Sequence, residues 1–322
     1  MVRLRRSVPG EPGIRRQRRG RGFSYVDTYG RRVVDDKTLD RIAALSIPPA
    51  WDDVWICAKA NGHVQATGVD SEGRTQYRYH EQWIAQAGRA KYERVRALAS
   101  SMTLLRARVT RDLRSDDARR RALAIAVRLI DTTGMRLGDE RYARERGTIG
   151  ALTLERRHVV VSESTVRLDF PAKSGVRWRA EITDVDLAAA VRRAPRGRDA
   201  RVTSWRDSGA IEHRLTATAL TEYLRAATGL TVTAKDLRTL FGSRVAAQSL
   251  AHSAPAASAK DQDSRIRDAV LAVSEALRNT VSVARASYVD PRVLERYRRG
   301  VVAELSSGAV SDAALARLIA DD

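Results

Sequence analysis

The stretch Leu277-Arg-Asn-Thr-Val-Ser-Val-Ala-Arg-Ala-Ser-Tyr-Val-Asp-Pro-Arg292 changes character part-way along, and the rest of the chain is read from it. Just before it, Ile266, Ala269, Val270, Val273 and Leu277 recur at helical spacing, so residues 264–278 predict a helix with one buried stripe. Asn279 follows that helix. Tyr288 then stands among small and basic residues, with Arg285 and Arg292 on either side. A phenol is a poor nucleophile at neutral pH because its pKa is about 10. Cationic surroundings stabilise the phenolate, and a bound phosphate would be both target and counter-charge. The stretch reads as a helix that delivers an amide and a reactive phenol to one place.

Charge agrees with that reading. The 322 residues hold 58 Lys and Arg against 39 Asp and Glu, a net charge of +19. Such a field captures polyanions and predicts a nucleic-acid partner. A chain of this length has room for two domains, each with its own core. Cys57 is the single cysteine, which leaves neither a disulfide framework nor a cysteine zinc site. The histidines (His63, His80, His158, His213, His252) form no HExxH pair, the acidic residues form no magnesium cluster, and no phosphate-binding Gly-x-x-x-x-Gly-Lys-Ser loop occurs. No metal, nucleotide or other cofactor is expected. With no signal-like or membrane-spanning apolar run, the expected location is the cytoplasm, on the nucleoid.

Working outward, residues 1–21 contain eight arginines and one acid, Glu11, and predict a flexible basic arm. Residues 22–84 predict a β-rich domain, with strands near Phe23, at 54–58, 63–67 and 75–79, and one helix after Asp35 or Asp36. In the last strand Tyr77 and Tyr79 share one face while Gln76 and Arg78 share the other. With Arg74, these side chains suit contacts to a DNA groove and backbone. Residues 85–90 read as a linker. Residues 91–322 read as mainly helical, with helices at 92–99, 118–132 and 216–227, and with strands at 151–154, 159–161, 166–170 and 176–182. Arg136 falls at the start of a turn or helix, which is a favourable phosphate cradle. Lys173 falls at a hairpin tip, and Lys235 and Arg238 lie one helical turn apart. Residues 251–263 read as a polar connector. The fold class is α+β.

Cutting a phosphodiester without a metal requires a nucleophile, an acid for the leaving oxygen, and cations for the non-bridging oxygens. The ordered set Arg136, Lys173, Arg238, Asn279 and Tyr288 supplies all of these. At this level the chain resembles the type IB DNA topoisomerases, in their small bacterial and poxvirus-like branch. The resemblance spans residues 22–300. It rests on Ile47-Pro-Pro-Ala-Trp51, Gly62-His-Val-Gln-Ala-Thr-Gly68, Gln76-Tyr-Arg-Tyr-His80, Arg136-Leu-Gly, Lys173-Ser-Gly, Lys235-Asp-Leu-Arg-Thr239, and Asn279 through Tyr288.

That resemblance implies the shared catalytic fold of the type IB topoisomerases and tyrosine recombinases. It implies Tyr288 as nucleophile, Lys173 as general acid, and Arg136, Arg238 and Asn279 as holders of the phosphate. Gln76, Tyr77, Tyr79 and Tyr142 match DNA-contacting positions. The implied partner is double-stranded DNA, clamped by a monomer, with no membrane. Four departures stand out: Arg278 where glycine is usual, Val281 for proline, Ala172-Lys-Ser-Gly-Val around the lysine, and Leu240-Phe241 after Arg-Thr. A tyrosine site-specific recombinase is the nearest alternative, but it would carry histidine where this chain has Lys235. A non-catalytic DNA-binding protein on the same fold is the third reading.

Overall fold

The computed structural model describes residues 3–171, 177–253 and 256–320. The chain divides into two compact units, Met1–Ala90 and Lys91–Asp322.

The first unit is built on a five-stranded antiparallel sheet in the order β2-β1-β3-β4-β5. The strands are β1 (Gly13–Arg19), β2 (Gly22–Val26), β3 (Asp52–Cys57), β4 (Val64–Val69) and β5 (Thr75–Tyr79). Helix α1 (Asp36–Ala44) starts where the Asp35 carboxylate accepts from the Thr38 N–H. Ile14, Ile42, Val54, Ile56 and Ala66 form its core.

Residues 13–19 are therefore a strand and no part of a flexible arm. β1 lies between β2 and β3, with Arg16 paired to Tyr25 and Ile14 to Ile56. Arginine is tolerated there because its head group finds partners at the sheet surface. The Arg16 guanidinium donates to the carbonyls of Pro48 (3.1 Å) and Trp51 and lies over the Phe23 ring. Upstream, the Arg5 N–H donates to the Asn61 carbonyl at 2.8 Å and the Ser7 hydroxyl to that of Val64 at 2.9 Å.

The residues read as a linker lie inside a long helix, α2 (Glu81–Leu113), whose apolar side includes Val95, Leu98, Met102, Leu105 and Val109. In the second unit α3 (Ala118–Thr133) runs from an Asp117 N-cap to Gly134. Its Leu123, Ala126, Val127 and Ile130 are buried, as their spacing predicts. After α4 (Glu140–Arg146), residues 151–153 form a short 3-10 turn where a strand was expected. A three-stranded antiparallel sheet follows, made of β6 (Val159–Val161), β7 (Thr165–Pro171) and β8 (Arg177–Thr183) in that order.

Next come α5 (Val185–Arg192), α6 (Ala217–Thr228), α7 (Ala234–His252), α8 (Ala259–Leu277), α9 (Val281–Tyr288), α10 (Pro291–Arg298) and α11 (Asp312–Leu318). Much of the expected connector at 251–263 thus belongs to the ends of α7 and α8, where Ser258 caps α8 by accepting from the Asp261 N–H. α7 packs against α3, α8, α9 and α10 and is the axis of this unit. The buried stripe of α8 is the predicted one: Ile266, Ala269, Val270, Val273 and Leu277.

Candidate active site

α8 and α9 meet at residues 278–280. Arg278 closes α8 in the left-handed region (φ 51°, ψ 53°), and the Thr280 hydroxyl opens α9 by accepting from the Val283 N–H. Asn279 is pinned between them, with its N–H donating to the Ser274 carbonyl at 3.0 Å and its carbonyl accepting from the Ser274 hydroxyl at 2.7 Å. Tyr288 ends α9 and is buried against α7.

Four of the predicted residues come together here. The Arg238 Cζ lies 5.0 Å from the centre of the Tyr288 ring. The Arg136 guanidinium donates to Asn279 Oδ1. Arginine can only donate, so this bond fixes the amide with Nδ2 as its outward donor. Among the described residues that buried Nδ2 has no acceptor, and neither do the buried Arg238 Nε and Nη2. Arg238 is held by donating its Nη1 to the Gly134 carbonyl. Leaving a buried donor unmade costs about 1–3 kcal/mol, and more for a charged group. Converging buried donors without acceptors mark a seat for an anion.

Electrostatics acts on the phenol in the same sense. Burial pushes Tyr288 up. The charge and close approach of Arg238, followed by Arg136 and Lys235, outweigh it and hold the phenol below its ordinary value. Burial pulls the Arg238 guanidinium down, Tyr288 opposes this, and Arg136 adds to it.

Arg136 does not start a helix. It sits outside any helix or strand, in the segment after Gly134, and α4 begins later from an Asp139 N-cap. The segment is fixed instead by the N–H groups of Ala151 and Leu152, which donate to the carbonyls of Arg136 (2.8 Å) and Leu137 (2.7 Å). Gly150 permits this crossing, since a β-carbon there would lie 2.4 Å from the Gly138 nitrogen. Arg292, read as a cation flanking the phenol, is engaged elsewhere. It pairs with Asp290 at 2.9 Å and Glu93 at 2.6 Å. Arg285 is exposed on α9. Lys173 lies outside the described residues, and β7 and β8 on either side of it are paired as far as Pro171 with Arg177.

Several neighbours of the site carry no sequence signal. Lys91 Nζ donates to the Ser287 carbonyl at 3.2 Å. The Thr239 and Ser243 hydroxyls reach the carbonyls of Ser287 (3.5 Å) and Tyr288 (3.4 Å), and the Asp290 N–H donates to Ser243 Oγ at 3.0 Å. Gly242 lies in the interior of α7, where a glycine costs about 1 kcal/mol relative to alanine.

Among the predicted DNA contacts, Tyr77 and Tyr79 are exposed and stacked, their ring centres 5.8 Å apart. Gln76 and Arg74 both donate to Asp70, at 2.8 Å. Arg78 donates to the Ser46 carbonyl at 2.8 Å, and its guanidinium lies 5.7 Å from the Trp51 ring. Tyr142, on α4, has Arg141 and Arg146 beside its ring at 5.2 and 5.6 Å. Lys235 is exposed in the first turn of α7.

Residues 80–304 match the family described as eukaryotic DNA topoisomerase I, catalytic core, and residues 22–70 match the bacterial DNA topoisomerase IB N-terminal domain. The chain belongs to the type IB DNA topoisomerases. DNA topoisomerase 1B of Acanthamoeba polyphaga mimivirus is 29% identical over 89% of this chain and 88% of its own length. DNA topoisomerase 1 of Daucus carota is 33% identical, but the match covers 29% of this chain and 12% of that protein. A XerH site-specific recombinase bound to its difH substrate covers 64% of this chain and 52% of that one, with a TM-score of 0.37 and 15% identity, too distant a likeness to bear on function. Among the described residues of this topoisomerase, no helix is long and apolar enough to cross a membrane.

Proposed function

We propose that this topoisomerase relaxes supercoiled duplex DNA by cutting one strand, letting it rotate and resealing it. The observation that carries this is the set of buried donors on Arg238 and Asn279 that find no acceptor among the described residues, beside a phenol held below its ordinary pKa. The Tyr288 oxygen, its proton passing to solvent, attacks the scissile phosphorus, forming a 3′-phosphotyrosyl bond as the bond to the 5′-oxygen breaks. Lys173, in the sequence joining β7 and β8, gives the leaving oxygen its proton. Arg136, Arg238 and the Asn279 amide hold the non-bridging oxygens as charge builds on them. An amide cannot shuttle a proton, so Asn279 acts as a fixed hydrogen-bond donor.

The reverse attack by the 5′-hydroxyl reseals the strand. The phosphotyrosyl ester retains the free energy of the broken bond, so neither ATP nor a metal ion takes part. Torsion already stored in the DNA drives rotation between the two steps. Gln76, Tyr77, Arg78, Tyr79, Arg74, Tyr142 and Lys235 contact the duplex, and the enzyme acts as a monomer inside the cell.

The deciding experiment uses a supercoiled plasmid in excess EDTA without ATP, together with a short suicide duplex. Relaxation of both supercoil signs and a covalent adduct mapped to Tyr288 are expected. Tyr288→Phe should abolish both and keep DNA binding. Relaxation that survives this substitution, or that needs magnesium or ATP, overturns the reading. Exchange between two specific sites without plasmid relaxation would favour the recombinase reading instead.

A further inference from the structure

We infer that the turn Lys91–Arg94 of α2 is a positioning element for the Tyr288 reaction, with Lys91 as its central residue. The inference rests on the function proposed above.

The final carbonyls of a helix have no partner within it and must find one elsewhere. In α9 these include the Ser287 carbonyl, which belongs to the peptide leading directly into Tyr288. Lys91 Nζ takes it at 3.2 Å. The next α2 residues reach what lies beyond the nucleophile: the Tyr92 carbonyl accepts from Arg292 at 3.2 Å, and the Glu93 carboxylate pairs with the same arginine at 2.6 Å. Arg292 in turn holds Asp290, two residues after Tyr288. Arg94 reaches Asp236 at 3.4 Å, in the first turn of α7 between Lys235 and Arg238. One helical turn thus ties down the chain before the phenol, the chain after it, and the helix that carries the adjoining arginine.

Two simpler roles fit Lys91 less well. A DNA-contacting lysine would present its ammonium to solvent. Lys91 is half-buried, donates to a backbone carbonyl and lies 3.9 Å from the Tyr92 ring centre. A stabilising lysine would gain more from its neighbours than it loses to burial. Burial and the nearby cation Lys235 outweigh Asp290 and Asp236 and pull this ammonium down to about 8, so the fold holds it against its preference. A charge kept at a cost beside the nucleophile's own peptide points to the geometry of that peptide.

The test uses the full chain and a short suicide duplex. Adduct formation is followed in single turnover at saturating protein, and affinity is measured separately in a Tyr288→Phe background. Lys91→Met should slow cleavage by about 10²-fold, the scale of a misplacement near 1 Å, with affinity unchanged. Lys91→Arg should restore most of the rate, since it again offers a donor to Ser287. Glu93→Gln should slow cleavage in the same way without touching Lys91. Cleavage by Lys91→Met at the wild-type rate overturns the inference, as does a loss of affinity that matches the loss of rate. If Lys91→Met does not fold, a wild-type rate for Glu93→Gln overturns it equally, and a slowed Glu93→Gln supports it. Failure of the wild-type chain to form any adduct would overturn the proposed function itself.

Discussion

Gly242 and Tyr288 meet so closely that a β-carbon on the glycine would stand 2.5 Å from the tyrosine's carbonyl oxygen and 3.1 Å from its Cβ. Backbone cannot swing aside as the end of a side chain can, so any other residue at 242 must displace α9. Gly242→Ala should therefore slow adduct formation by about 10²-fold while leaving DNA affinity intact. It is measured in single turnover, and a wild-type rate would show that α9 moves without harm to the reaction.

Arg278 holds a left-handed backbone that a β-carbon disfavours, at about 1–2 kcal/mol. Its side chain is exposed, so replacing it removes little packing. Arg278→Gly should raise stability by about 1 kcal/mol, less what glycine adds to the freedom of the unfolded chain. Urea unfolding with an unchanged slope would show this, and a destabilised variant would count against it.

Lys91 links stability to pH. Its folded value is near 8 against an ordinary 10.5, so between these limits the unfolded chain binds more protons than the folded one. Stability from this group therefore rises with pH across that window. The charges that set it are Lys235 and Arg94, which oppose the ammonium, and Asp290 and Asp236, which favour it. Lys91→Met should be at least as stable as wild type at neutral pH, and its advantage should fade as pH climbs from about 8 to 10.5. Thermal melts of both proteins across that range decide it.

The arginine-rich beginning of the chain makes a further prediction. β1 has neighbours on both edges, so removing residues 1–21 should leave β2 without a partner, open one edge of β3 and unfold the first unit. Limited proteolysis should then degrade residues 22–80 rapidly. A trimmed first unit as resistant as the intact one would show that the sheet closes without β1.

What could be read from sequence divides along physical lines. Helices α3 and α8 announced themselves because each buries one stripe of regularly spaced side chains. Arg238, Asn279 and Tyr288 were visible as an ordered set within the motifs that carry the family resemblance. β1 was missed because composition argued for solvation, whereas its Arg16 satisfies carbonyls of a loop far along the chain. Arg292 was misread because a cation's value depends on what faces it, and Glu93 lies far away in sequence. Lys91 was invisible for the same reason. Its role depends on a carbonyl that only folding brings near.

The place of β1 inside its sheet also bears on how the protein is made. A chain emerging from the ribosome exposes residues 13–19 early, can pair them with β2 at once, and must then wait for residues 52–57 to complete the other edge. During that interval an apolar strand would be open to edge-to-edge joining with other nascent chains. A strand reading Gly-Ile-Arg-Arg-Gln-Arg-Arg repels its own copies, so the cations that hid it from sequence reading also act as its gatekeepers until β3 arrives.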